Sequence, residues 1–142
     1  MKNGVIEENY GHGYTASCWY VNDKLHREDG PAAVHSNGTK EWWRNGEYHR
    51  EDGPAIEYCN ADGEIYMRCW FINGKYHRTN GPAIEHKNDY KVWFINGKMH
   101  REDGPAREFH DERKSEWYFS GEKIPCSSQE EFERYLKNKC FI

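Results

Sequence analysis

Four times the chain sets a histidine directly before an arginine: His26-Arg27, His49-Arg50, His77-Arg78 and His100-Arg101. A guanidinium is a planar fork that matches carboxylate or phosphate, and an imidazole beside it adds a further donor. A column of such pairs, with Arg50, Arg78 and Arg101 as candidate contacts, could hold an anionic nucleotide or an acidic peptide. The competing role is structural. The histidine would pack on the preceding aromatic pair and bond a loop carbonyl, and the arginine would pair with Glu or Asp of a neighbouring copy. Three of the four copies read His-Arg-Glu-Asp-Gly-Pro-Ala and the fourth reads His-Arg-Thr-Asn-Gly-Pro-Ala. Such identity favours packing, since ligand sites differ between repeats while a packing solution recurs.

Other chemistries find less support. Asp29, Asp52 and Asp103 precede the glycine, and Asn80 replaces them in the odd copy. That exchange keeps an acceptor for the turn backbone but loses a charge, which suits a turn better than a metal site. The serines lie in no triad-like or nucleophile-elbow context. Gly11-His12-Gly13 opens no helix, so it is no phosphate cradle. The repeated Glu-Asp pairs sit in equal environments, whereas an acid–base pair needs unequal ones. No catalytic residue, metal ligand or cofactor is expected, and the chain reads as not an enzyme.

The elements that position these residues repeat with them. Aromatic pairs fall at Trp19-Tyr20, Trp42-Trp43, Trp70-Phe71, Trp93-Phe94 and Trp117-Tyr118, stepping by 23, 28, 23 and 24 residues. Self-similarity at such a period marks a repeat array. Within one unit, a short run after Gly-Pro leads through turn residues into a second run that carries the aromatic pair. Asn37-Gly38 and the Asn-Gly steps at Asn45, Asn73 and Asn96 are hairpin signals, with φ > 0 expected at both central positions. Proline cannot donate to a ladder, so Pro31, Pro54, Pro82 and Pro105 belong at strand starts.

Alternation along a strand puts Trp42, Trp70, Trp93 and Trp117 on one face, with apolar company that suits a buried seam between repeats. Tyr20, Trp43, Phe71, Phe94 and Tyr118 form a second row on the other face, a candidate surface for stacking bases or anchoring a partner. Five extra residues lengthen one hairpin over 59–69, so Tyr58, Tyr66 and Met67 are further candidate contacts. Asn3-Gly4-Val5-Ile6-Glu7-Glu8 reads as a half unit. Ser128 with Glu131 forms a capping box, and Phe132, Tyr135 and Leu136 share a helical face. The expected organisation is a β-hairpin array over 1–126, made of the half unit and four repeats, with a capping helix and tail over 127–142.

Composition agrees with thin repeats. Aromatics make up 15% of 142 residues in a polar chain of net charge −4. The charge argues against broad nucleic-acid binding. No apolar run is long enough to span a membrane and no secretory leader is visible. The odd set Cys18, Cys59, Cys69, Cys126 and Cys140 contains no Cys-x-x-Cys pair and reads as reduced thiols in a cytoplasm.

The strings Trp43-Arg44-Asn45-Gly46-Glu47-Tyr48-His49, 71–77 and 94–100 resemble the core of a MORN repeat: aromatic, one residue, Asn-Gly-Lys, one residue, His. The likeness covers nearly the whole chain except the final helix. It departs after the histidine, where MORN units continue His-Gly-x-Gly and this chain continues with Arg, two polar residues and Gly-Pro-Ala. The variant is similar to repeats in tailed-phage and giant-virus proteins, and more distantly to YwqK-type repeats. The resemblance implies an all-β, elongated array of antiparallel hairpins used for binding, with no catalytic residue. The expected function is a non-enzymatic protein–protein interaction module, and in a viral setting an inhibitor of a host antiviral-defence factor in the host cytoplasm. The alternative is a small-ligand binder that sequesters an anionic nucleotide or signal molecule. Open sheet edges also allow self-association.

Overall fold

A computed structural model of the chain describes residues 1–111 and 113–139, so Cys140 lies outside the described residues. The chain folds as two compact units, Met1–Lys75 and Tyr76–Ile142. Both are built from antiparallel hairpins, as expected, and the second ends in one helix.

In the first unit, strands β1 (Gly4–Asn9) and β2 (Thr15–Val21) open a sheet. It continues through Ala33–His35, Lys40–Glu41, Ile56–Cys59 and Ile65–Cys69, each antiparallel to its neighbour. In the second unit Ile84–His86, Tyr90–Val92 and Arg107–Phe109 pair in the same way. The small ribbons Trp43–Arg44/Glu47–Tyr48, Phe94–Ile95/Lys98–Met99 and Trp117–Phe119/Glu122–Ile124 stand apart from these sheets.

In three units the second strand is therefore not continuous into the aromatic pair, whereas β2 runs unbroken through Trp19-Tyr20. The breaks fall at Trp42, Trp70 and Trp93. The tryptophan backbone carries the chain from sheet to ribbon. Trp42 N–H donates to Ala55 O (2.7 Å) while Trp42 O accepts from His49 N–H (3.1 Å). Trp19 and Trp93 do the same with Ala32 and His26, and with Ala106 and His100. The Gly-Pro-Ala alanines lie at this junction, and Ala32, Ala55, Ala83 and Ala106 are all 0% exposed. Full burial of each methyl is close packing where sheet and ribbon meet.

The ribbon turns take the expected conformation: both central residues have φ > 0 at Asn45-Gly46, Asn73-Gly74, Asn96-Gly97, Asn22-Asp23 and Ser120-Gly121. Asn37-Gly38 differs, because only Gly38 has φ > 0. The Asn37 side chain accepts from Thr39 N–H (3.0 Å) and donates to Cys59 O (2.8 Å), which holds its backbone in the ordinary region. The long hairpin departs from regular pairing by a bulge between Tyr58 and Cys59. Asn60 closes its turn by accepting from the backbone N–H groups of Asp62 and Glu64.

Helix α1 (Gln129–Asn138) is capped by Ser128, whose hydroxyl accepts from Glu131 N–H at 3.2 Å. Glu131 reaches back one residue further than a capping box requires, to Ser127 N–H at 2.8 Å. Phe132 and Leu136 bury against Trp117 and Ile124, with Tyr135 packed beside them. The expected helical face covers the last ribbon. No helix among the described residues is long and apolar enough to cross a membrane.

Candidate functional site

Each His-Arg pair is a clasp between one copy and the next. The turn residue at φ > 0 points its backbone N–H at the histidine of the preceding copy. Asn45 donates to His26 Nδ1 (3.0 Å), Asn73 to His49 Nδ1, Asn96 to His77 Nδ1 and Ser120 to His100 Nδ1 (each 3.1 Å). The following glycine N–H donates to the carbonyl just before the histidine: Gly46 to Leu25, Gly74 to Tyr48, Gly97 to Tyr76 and Gly121 to Met99. The arginine N–H donates in turn to the next copy's second aromatic, from Arg27 to Trp43 and from Arg50 to Phe71.

The histidine thus accepts a backbone N–H, where a ring N–H bonded to a loop carbonyl is expected from sequence. The Asn45 and Asn73 side chains also reach Nδ1 of His26 and His49, at 3.0 and 2.9 Å, and acceptance of the turn N–H assigns the ring proton to Nε2. It faces Glu28 (3.0 Å) from His26 and Glu51 (3.3 Å) from His49. Arg44 Nη1 lies 3.2 Å from His49 Nε2. Both atoms carry hydrogens, so Glu51, which sits 3.6 Å from that Nη1, reconciles the two donors.

Arginine closes its own loop. The guanidinium carbons of Arg27, Arg50 and Arg101 lie 4.2, 4.0 and 3.9 Å from the ring centroids of Trp19, Trp42 and Trp93. Nε donates to Asp29, Asp52 and Asp103, and Nη1 donates to the carbonyls of Pro31, Pro54 and Pro105. Arg78 follows the pattern with Asn80 and Pro82, and also bonds Glu85. The carboxylate partner therefore belongs to the arginine's own copy, unlike the neighbouring-copy pairing expected above. The glycine serves close approach: a Cβ on Gly53 would stand 2.9 Å from Arg50 Cζ, and its φ is not positive. The hydrogen bonds from Arg27, Arg50 and Arg101 hold the Asp29, Asp52 and Asp103 carboxyls below the usual carboxylate range.

Both aromatic rows belong to the packing. The expected buried seam of tryptophans is only partly buried at Trp19, Trp42 and Trp93, because arginine covers those rings, while Trp117 is buried. Part of the second row stacks through the tyrosine before the histidine, Tyr48 in one copy and Tyr76 in another. Trp43 lies 3.7 Å from Tyr48, Tyr48 lies 5.1 Å from Phe71, and Tyr76 lies 5.1 Å from Phe94. Phe71 is 8% exposed, and Tyr20, Trp43, Phe94 and Tyr118 are half-buried. Tyr58 and Tyr66 face each other at 6.2 Å on the long hairpin, and Met67 pairs with Tyr58 in register.

A third aromatic column went unread in the sequence. It stands three residues after each core alanine, at His35, Tyr58, His86 and Phe109. Tyr14 stacks on His35 at 5.5 Å and Tyr90 on His86 at 5.4 Å. His35 leads to Glu41, which also accepts from Trp43 Nε1 at 2.8 Å and from Tyr48. The signal was present as Gly-Pro-Ala-x-x-aromatic, hidden by the mixture of His, Tyr and Phe.

Grooves open to a ligand lie between successive His-Arg loops, and another of about 420 Å³ lies beside the last ribbon, lined by Glu116, Trp117, Lys123 and Cys126. In the first unit a groove of about 570 Å³ is walled by the loops of Arg27 and Arg50 and floored by Trp42 and Arg44. In the second unit a groove of about 660 Å³ lies between the loops of Arg78 and Arg101, floored by Trp93 and Ile95. The rims are acidic: side-chain exposure is 82% at Asp29, 74% at Glu51 and 84% at Asp103. Among the described residues no group of His, Cys, Asp and Glu could hold a metal ion. Neither a family model, nor a curated protein, nor a solved structure matches this chain.

Proposed function

We propose that the chain is a non-enzymatic protein–protein interaction module that reads its partner in the grooves between successive His-Arg loops. One observation carries this reading. The side chains that recur in every copy hold copy to copy, while the groove floors change from Arg44 to Ile95 at the equivalent position. A constant frame with variable grooves is how repeat scaffolds present binding surfaces. The acidic rims suit a partner with basic side chains.

The resemblance to viral repeats extends the proposal to a host antiviral-defence factor as the partner. Sequestration of an anionic nucleotide has less support. The arginine donors that would hold phosphate already engage Asp and Pro carbonyls, and exposed carboxylates stand beside them.

The test is affinity purification with mass spectrometry from cells in which the chain acts. Wild-type chain is compared with a Glu51→Lys/Glu102→Lys variant that reverses a rim charge in each groove. Loss of one specific partner from a folded variant is expected. Equal capture by both chains removes the grooves as the reading surface. Thermal shift against nucleotides and cyclic nucleotides tests the alternative, and stabilisation at millimolar ligand would revive it.

A further inference from the structure

The two grooves are the same place in two copies, and one of them is filled from within. Ten of the eleven residues lining the first groove have a counterpart in the second 51 positions later, among them Trp42 and Trp93, Arg44 and Ile95, His49 and His100, Glu51 and Glu102. In the first groove Arg44 rises from the floor and sits between the walls. Its guanidinium lies 3.3 Å from Glu28 and 3.6 Å from Glu51. Glu51 makes this contact while also bonding His49.

In the second groove the floor residue is Ile95, which carries no charge. Glu102 bonds His100 at 3.4 Å, as Glu51 bonds His49, and its side chain is 73% exposed. On the opposite wall Thr79 replaces Glu28, so one carboxylate of the original pair is kept. The groove is larger than its filled counterpart by about 90 Å³, taken from the two volumes above.

We propose that the second groove receives an arginine side chain of the protein partner, in the place that Arg44 occupies in the first. The inference rests on the interaction-module reading and names the chemistry of its partner. The arginine stem packs on Ile95 and Trp93, and its guanidinium meets Glu102. Trp93 already carries the Arg101 guanidinium at 3.9 Å, so the incoming group shares the Glu102 side of the groove and not that stacked face. Arg44 is the internal template: it shows that this geometry accepts a guanidinium beside the His–Glu pair. A guanidinium is preferred to an ammonium because the groove is shallow and partly apolar, and the guanidinium is the more weakly hydrated cation.

The test uses the full chain with labelled Ile95 methyl and Trp93 indole groups, titrated with the peptide Ac-Gly-Arg-Gly-NH2 and its citrulline counterpart. Saturable shifts at both groups are expected at millimolar arginine peptide, with at least tenfold weaker binding of citrulline. Glu102→Gln should weaken the arginine peptide to the citrulline level. Ile95→Arg should abolish binding by filling the groove as Arg44 does, and its unfolding temperature shows whether the fold is kept. Should Ile95→Arg fail to fold, Glu102→Gln decides alone. Equal shifts from both peptides, or no shift at Ile95, would overturn the inference. The wider reading is scored separately: a partner captured equally by wild type and Ile95→Arg leaves the interaction module standing and removes this groove from it.

Discussion

The backbone N–H of Asn73 donates to Nδ1 of His49 across 3.1 Å, joining one copy of the repeat to the next. The bond needs two features at once. Asn73 must hold φ near 47°, which turns its N–H outward, and His49 must be in the tautomer that leaves Nδ1 bare. His49 is almost fully enclosed, with 7% of its side chain exposed.

His49→Ala should therefore destabilise the chain by about 1–3 kcal/mol, from loss of the clasp bond and of the packing of a buried ring. The equivalent change at His26, which is 17% exposed, should cost less because water can replace the ring. Urea unfolding midpoints of the two variants measure the difference. Equal midpoints would show that the clasp is not energetically distinct.

Gly53→Ala should act through Arg50. The new methyl would stand 2.9 Å from Arg50 Cζ, and the guanidinium would have to leave Trp42 and the Pro54 carbonyl. Overpacking of this kind costs about 1–3 kcal/mol. Gly30→Ala, with a 3.3 Å approach to Arg27, should cost less. In a double-mutant cycle the penalty of Gly53→Ala should shrink when Arg50 is already alanine.

Acid should loosen the loops in a defined window. Asp29, Asp52 and Asp103 have carboxyls held below the ordinary 3.8 by their arginines. A depressed folded value means that the contribution is complete above the unfolded value and is lost as pH falls through the folded one. Stability should decline as pH drops below about 4. Asp52→Asn, which copies the natural Asn80 arrangement, should flatten that decline in pH-dependent urea unfolding. An unchanged slope would mean that these pairs are too screened to matter.

Thiol labelling should separate the cysteines. Burial pushes the Cys69 thiol up to about 12, and Cys18 and Cys59 are also buried, while Cys126 is half-exposed. Native chain should react with a thiol reagent at Cys126 and leave these three unmodified until unfolding. Mass spectrometry of labelled peptides reads the order.

Phe71→Ala should behave as a core deletion. Phe71 is 8% exposed, stacks on Tyr48 and accepts the Arg50 N–H through its carbonyl. A loss of about 3–5 kcal/mol is expected. A folded variant of wild-type stability would return Phe71 to the surface.

The hairpins, the positive-φ Asn-Gly turns and the capping helix were legible because each depends on a few adjacent residues. The same holds for the structural role of the His-Arg phrase, which repetition alone made the stronger reading. Three things were not legible. The break at Trp42 is accompanied by bonds to Ala55 and His49, which lie 13 and 7 residues along the chain. The second aromatic row became packing through Tyr48 and Tyr76, which no strand alternation would place between neighbouring copies. The direction of the histidine bond depended on which turn N–H arrived at Nδ1.

By itself, then, the sequence determined the repeat, its hairpin grammar and the residues that recur. Local conformational preference and period are written in neighbouring side chains, so they can be read from them. Tertiary structure alone decided that Arg44 fills one groove and Ile95 leaves its counterpart open, because a groove exists only once two loops stand side by side. The same residue position ties the walls together in one copy and is an uncharged floor in the other.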